Sequence, residues 1–154
     1  MSKWKMPPKA KIYEALSAVA DRRVTIKDET HANVQSSERD KTYSIEWSFD
    51  LKQITSDDNA SFWQGYMGYP IIAVLLSLGK IKYREDLAAC LSDVPWKRIN
   101  TKFKRDYDKA VDSVLDEAAT KGADREAIVQ QAEDIYQQLG ALKLERKGKP
   151  PRRH

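Results

Sequence analysis

The sequence predicts an α+β domain, with an N-terminal helix and a small antiparallel sheet of about three strands packed on a helical C-terminal half of four to five helices. Three observations carry this. Residues 42 to 51 alternate apolar and polar without a break, residues 71 to 78 are apolar on every side, and beyond Arg84 apolar residues recur every three or four positions. At 154 residues, with 41% hydrophobic and 32% charged residues, the chain has the size and composition of one domain with a packed core, residues 1–154 forming a single unit.

The first helix is expected from Pro8 to Arg22, where Ile12, Leu16 and Val19 make one stripe and Pro7 and Pro8 suit the start. Val24 and Ile26 suggest a short strand. From Thr30 to Ser36, Ala32 and Val34 share one face against His31, Asn33 and Gln35, and the polar run from Ser36 to Lys41 reads as a hairpin loop. The next strand is the clearest: Tyr43, Ile45, Trp47, Phe49 and Leu51 alternate with Thr42, Ser44, Glu46, Ser48 and Asp50, one face buried and one wet.

From Ser56 the chain reads as helical, with Ser56, Asp57 and Asp58 as caps and Phe62, Trp63, Tyr66 and Tyr69 at near-helical spacing until Pro70. Ile71 to Leu78, ended by Gly79, is the expected central helix of the core. Arg84 to Ser92 forms a helix with Leu87, Cys90 and Leu91 inward. One long helix follows, with Trp96, Ile99, Phe103, Tyr107, Ala110, Val114 and Ala118 inward as far as Gly122. A last helix begins after Asp124, turns Ile128, Ala132, Ile135 and Leu139 inward and stops at Gly140, and Leu142 and Leu144 are available for an edge strand. No segment repeats.

The net charge of +4 is unevenly placed. Residues 1 to 13 hold Lys3, Lys5, Lys9 and Lys11 with no acid, and residues 143 to 154 hold six basic residues against Glu145, so the body between them is acidic. Residues 1–6 and 146–154 are expected as flexible basic tails. Basic ends favour polyanions, or simply keep a chain soluble. Asn59 to Gly79 is 21 residues without a formal charge, but only its second half is densely aliphatic, so no membrane span is expected. The single cysteine, Cys90, rules out an internal disulfide, and no apolar leader precedes Pro7, which makes the cytoplasm the expected location.

Pro70 to Lys109 has the order of a helix-turn-helix unit. An apolar helix leads through Gly79-Lys80-Ile81-Lys82 into the helix at Arg84, and Asp93-Val94-Pro95 then opens a basic helix. In this layout the segment resembles winged-helix DNA-binding domains, although its turn carries no glycine and the sheet precedes the unit. The resemblance implies that the basic helix is the recognition element. Projected at helical spacing, Arg98, Lys102, Arg105 and Lys109 form a stripe opposite Trp96, Ile99 and Phe103, the candidate nucleic-acid-binding residues. Cations near that helix's start and acids such as Asp112, Asp116 and Glu117 beyond them run against the macrodipole, which calls for a partner anion or local pairing.

A second candidate is the aromatic and polar cluster around Asn59, Trp63, Gln64 and Tyr66, whose rings and amides suit a small ligand. The alternative is that these rings pack on the strand face of Tyr43, Trp47 and Phe49. Nothing marks catalysis, a metal or a cofactor. His31 lies on a wet strand face, His154 is the last residue, Cys90 is expected as a buried thiol, and no calcium-loop, dinucleotide or phosphate-loop pattern occurs. The candidate partners are nucleic acid, through the basic stripe, or another protein, through a sheet edge or an amphipathic helix, with a small ligand as the third reading.

Overall fold

The computed structural model of the protein describes residues 3–148. In chain order its elements are α1 (Ala10–Ala20), β1 (Val24–Ile26), β2 (His31–Gln35), β3 (Thr42–Trp47), β4 (Gln53–Ser56), a π-helical turn (Ala60–Gln64), α2 (Tyr69–Ser77), α3 (Glu85–Ala89), α4 (Trp96–Lys102), α5 (Tyr107–Thr120), α6 (Arg125–Leu142) and β5 (Glu145–Arg146). The fold is the expected α+β arrangement, with five strands where about three were expected. They run in the order β1-β2-β3-β4-β5, antiparallel except for the parallel pair β4–β5.

The additional strands are short: β4 is locally silent, and the edge strand for which Leu142 and Leu144 were available forms one residue later, as β5 at Glu145–Arg146. The apolar and polar alternation continues past the end of β3, yet the backbone turns at Ser48, whose hydroxyl accepts from the amides of Lys52 and Gln53, and Leu51 takes a left-handed φ of 55°. Phe49, expected inward, is therefore 81% exposed at the tip of the β3–β4 hairpin. β5 is two residues long and exists only because the chain returns from α6 beside β4.

Ala32, Val34, Ile45, Trp47 and Ile54 line the inner face of the sheet, and α2 lies against it. Pro70 to Leu76 is buried throughout, as expected of a central helix. On its other side α2 meets α1, which is covered in turn by α3, α5 and α6. That double coverage explains why α1 buries nearly its whole circumference, Glu14 and Ser17 included, rather than the single stripe its sequence suggests.

The N-terminal segment is not a free tail in its described part. Trp4 is 7% exposed, its amide donates to Leu144 O, and its indole donates to Ile54 O at 2.9 Å. Arg146, also expected in a tail, lies in β5 and donates to the carbonyls of Ser61 and Phe62. Residues 1–2 and 149–154 lie outside the described residues. No helix among the described residues is long and apolar enough to cross a membrane.

Several helix readings change. The helix expected from Ser56 to Tyr69 is a π-helical turn followed by a left-handed Gly65 and an extended Gly68. Cys90, expected inward, is exposed just past the end of α3 at Ala89, and its thiol donates to Asp86 O. α6 runs through Gly140 to Leu142.

Candidate functional site

The long helix expected after Pro95 is two helices. α4 ends at Lys102, Lys104 and Arg105 take left-handed φ values of 53° and 64°, and Asp106 caps α5 by accepting from the amide of Lys109. The closing bonds Lys104 N to Thr101 O and Arg105 N to Asn100 O satisfy carbonyls that the helix end leaves open. The apolar spacing crosses the break because both helices turn toward the same core. The break eases the macrodipole conflict only in part: Lys102 stands in the last turn of α4 and Asp108 in the first turn of α5, where each charge is favourable, while Arg98 in the first turn of α4 and Glu117 in the last turn of α5 still oppose it.

The four expected nucleic-acid residues are thus not one stripe on one rod. Arg98 and Lys102 are exposed on α4, Arg105 is exposed in the turn, and Lys109 lies on α5 with Nζ 3.8 Å from Asp106. Lys104, unmarked by the helical projection, joins them in the turn. Arg98, Lys102, Lys104 and Arg105 form no ion pair among the described residues. Lys97, by contrast, lies 3.6 Å from Asp40 and 4.0 Å from Glu38 on the β2–β3 hairpin.

That contact closes one side of a cleft of about 300 Å³ between α4, the β2–β3 hairpin and the end of α1. Trp96 forms part of its wall and is held by its indole N–H, which donates to Ser17 Oγ at 2.8 Å. Tyr43 and Tyr69 meet edge to face at 6.3 Å between centroids. Burial, and after it the neighbouring Tyr43, pushes the Tyr69 hydroxyl far above the ordinary tyrosine range.

Arg23 is the most unusual lining residue. The closing turn of α1, with Arg22 left-handed at φ 56° and Arg23 N bonded to Ala18 O, carries it into the interior at the start of β1. It is 2% exposed. Its Nη1 donates to Gln35 O at 2.9 Å, and Nε lies 3.6 Å from Asp21 Oδ2, too far for a hydrogen bond. Nε and Nη2 have no hydrogen-bond partner among the described residues, and the guanidinium stands 5.9 Å from the Tyr69 ring. A buried cation with open donors is costly, on the order of 1–3 kcal/mol for each unmet group.

Glu14 lines the same cleft, with Asn100 Nδ2 3.5 Å from its Oε1. Lys11 Nζ lies 3.1 Å from Glu14 Oε2, at an angle that leaves that oxygen without a formed hydrogen bond, and 4.7 Å from the centroid of the Tyr107 ring. Burial pulls the Lys11 ammonium down, but pairing with Glu14 and the proximity of Tyr107 outweigh it, so its pKa is raised.

Of the expected ligand residues, Asn59, Trp63 and Gln64 are exposed on or beside the π-helical turn, and Tyr66 is half-buried with its hydroxyl raised by burial. None lines this cleft. Trp63 packs edge to face on Phe62 and is 74% exposed, so the aromatic cluster does not pack on the strand face as a unit. Asp58 is a structural centre: it accepts from Ser56 Oγ, Ser61 Oγ and Ser61 N. No group of histidine, cysteine and carboxylate side chains among the described residues is arranged to hold a metal.

Residues 4–145 match the family model described as "Uncharacterised conserved protein UCP014422". The chain belongs to this family. The match begins at buried Trp4 and reaches the first residue of β5, so all the helices and the cleft lie within the UCP014422 unit. No curated protein and no solved structure matches the chain.

Arg23 and Glu14 had a faint signal in sequence: Glu14 interrupts an otherwise apolar run in α1, and Arg23 directly follows the end expected for that helix at Arg22. Tyr43, Tyr69 and Asn100 had none, because three separate elements bring them together.

Proposed function

We propose that this UCP014422 member binds nucleic acid along the exposed face of α4 and the turn into α5. The observation that carries the reading is that Arg98, Lys102, Lys104 and Arg105 crowd one short segment, stay exposed and have no carboxylate partner among the described residues. Surface cations without acids are positioned to gain from phosphates and lose little local pairing. The chain order α2, α3, α4 is compatible with the helix-turn-helix layout read from the sequence, and Arg98 and Thr101 are exposed on α4.

Titration with duplex and single-stranded oligonucleotides over a range of salt tests this. Four phosphate contacts predict a slope of log K against log salt of about −3.6 on duplex and about −2.8 on single strands. Replacing Arg98 and Lys102 with glutamine should reduce the slope by about 2 without changing the melting temperature. Affinity that stays flat with salt overturns the reading.

Protein association is a second reading, favoured by Trp63 and Phe49, which are 74% and 81% exposed. Sedimentation over a concentration series should reveal self-association that Trp63→Ser abolishes. A monomer at every concentration counts against self-association as the use of these rings.

A further inference from the structure

The geometry points to a second binding function in the cleft between α4, the β2–β3 hairpin and Arg23: it takes a small planar ligand carrying an anionic group, by chemical class a nucleotide. Three features of the wall ask for different parts of one molecule. The buried Arg23 guanidinium has its Nε beside the Asp21 carboxylate at 3.6 Å and its Nη2 without a hydrogen-bond partner among the described residues, a donor left for an acceptor in the cleft. Tyr43, Tyr69 and Tyr107 supply flat aromatic surface, and Glu14 and Asn100 supply an acceptor and an amide on the same lining. Toward solvent stand Lys41 and Arg105, both exposed and without an ion pair among the described residues.

A simple inorganic anion meets only the cations and leaves most of about 300 Å³ unfilled. An apolar ligand leaves Arg23 Nη2 unmet. A base with acceptors and donors on its edge, tethered to a phosphate, meets all three: its edge at Arg23, Glu14 and Asn100, its faces on the tyrosines, its phosphate at Lys41 and Arg105. Such a nucleotide comes either free or as an unstacked residue of a strand lying on the α4 face. The inference does not depend on the polymer reading, because the cleft shares only its rim with that face.

Calorimetric titration of the full chain with GMP, AMP, CMP, UMP and inorganic phosphate tests it, alongside a single-stranded dodecamer and its abasic counterpart. At least one mononucleotide should bind with Kd below about 1 mM, with phosphate at least about tenfold weaker. Asn100→Ala and Lys41→Gln should each weaken that nucleotide by about threefold to tenfold. Arg23→Gln should weaken it more. Because Arg23 is buried and its loss can unfold the chain, the Asn100→Ala and Lys41→Gln variants, checked by circular dichroism, keep the test decisive. If mononucleotides fail but the dodecamer binds at least about tenfold tighter than the abasic strand, and Asn100→Ala removes that difference, the strand is the source of the nucleotide. The inference is overturned if phosphate binds as tightly as the nucleotides, if neither nucleotides nor the base-bearing strand show preference, or if binding survives Asn100→Ala, Lys41→Gln and a folded Arg23→Gln unchanged.

Discussion

Trp96 Nε1 donates to Ser17 Oγ at 2.8 Å, and the same hydroxyl donates to Leu91 O at 2.7 Å. One buried hydroxyl in the middle of α1 therefore fixes both the end of the α3 segment and the first residue of α4. Ser17→Ala leaves an indole N–H and a carbonyl unmet in the core, which should destabilise the chain by about 1–3 kcal/mol. Urea unfolding followed by tryptophan emission measures it. A loss within error would mean that the bond does not position α4.

Gly68 is required by close approach rather than by its backbone angle. A Cβ there would stand 2.1 Å from Asp58 Oδ2, and that carboxylate is already held by Ser56 and Ser61. Gly68→Ala should cost at least about 3 kcal/mol, at the upper end of overpacking. Gly79→Ala, at φ 75° with open space around it, should cost only about 1 kcal/mol. Thermal melts of the two variants should separate clearly, and equal shifts would contradict the Asp58 contact.

Trp4 pins the N-terminal segment across β4 and the end of α6. Trp4→Ala removes a buried ring and its bond to Ile54 O, and should cost about 3–5 kcal/mol. Amide exchange in residues 144–147 should accelerate with it, because β5 loses the neighbour that covers it. A variant as stable as the parent would return this segment to the status of a loose tail.

Alkaline pH should unfold the protein in a defined sense. The Tyr69 hydroxyl and the Lys11 ammonium both have raised pKa values in the folded chain, so each holds its proton more tightly there than when unfolded. Their contribution is complete below the unfolded values of 10.0 and 10.5 and is lost as pH rises above them toward the folded values. The melting temperature should fall from about pH 10 upward, and Tyr69→Phe should flatten that fall. An unchanged slope in the variant would remove Tyr69 as a contributor.

Strong periodic segments were legible without coordinates: α1, the start of β3, the apolar α2 and the inward faces of α5 and α6. The break at Lys104 and Arg105 was not, since Phe103 and Tyr107 keep helical spacing across it and only Asp106 hints at a new cap. The basic residues were visible as a group, but their arrangement was misread for that same reason.

Local pattern by itself determined that this chain is α+β, that Ile71 to Leu78 lies at its centre and that residues 97 to 109 are rich in cations, because burial of an apolar face imposes a period that residues must obey. Tertiary structure alone decided that β5 joins the sheet, that Phe49 faces solvent and that Arg23, Glu14, Tyr43, Tyr69 and Asn100 meet around one cleft. Those outcomes depend on which distant segments pack together. No spacing within a segment encodes that, because the contacts that reward it come from elsewhere in the chain.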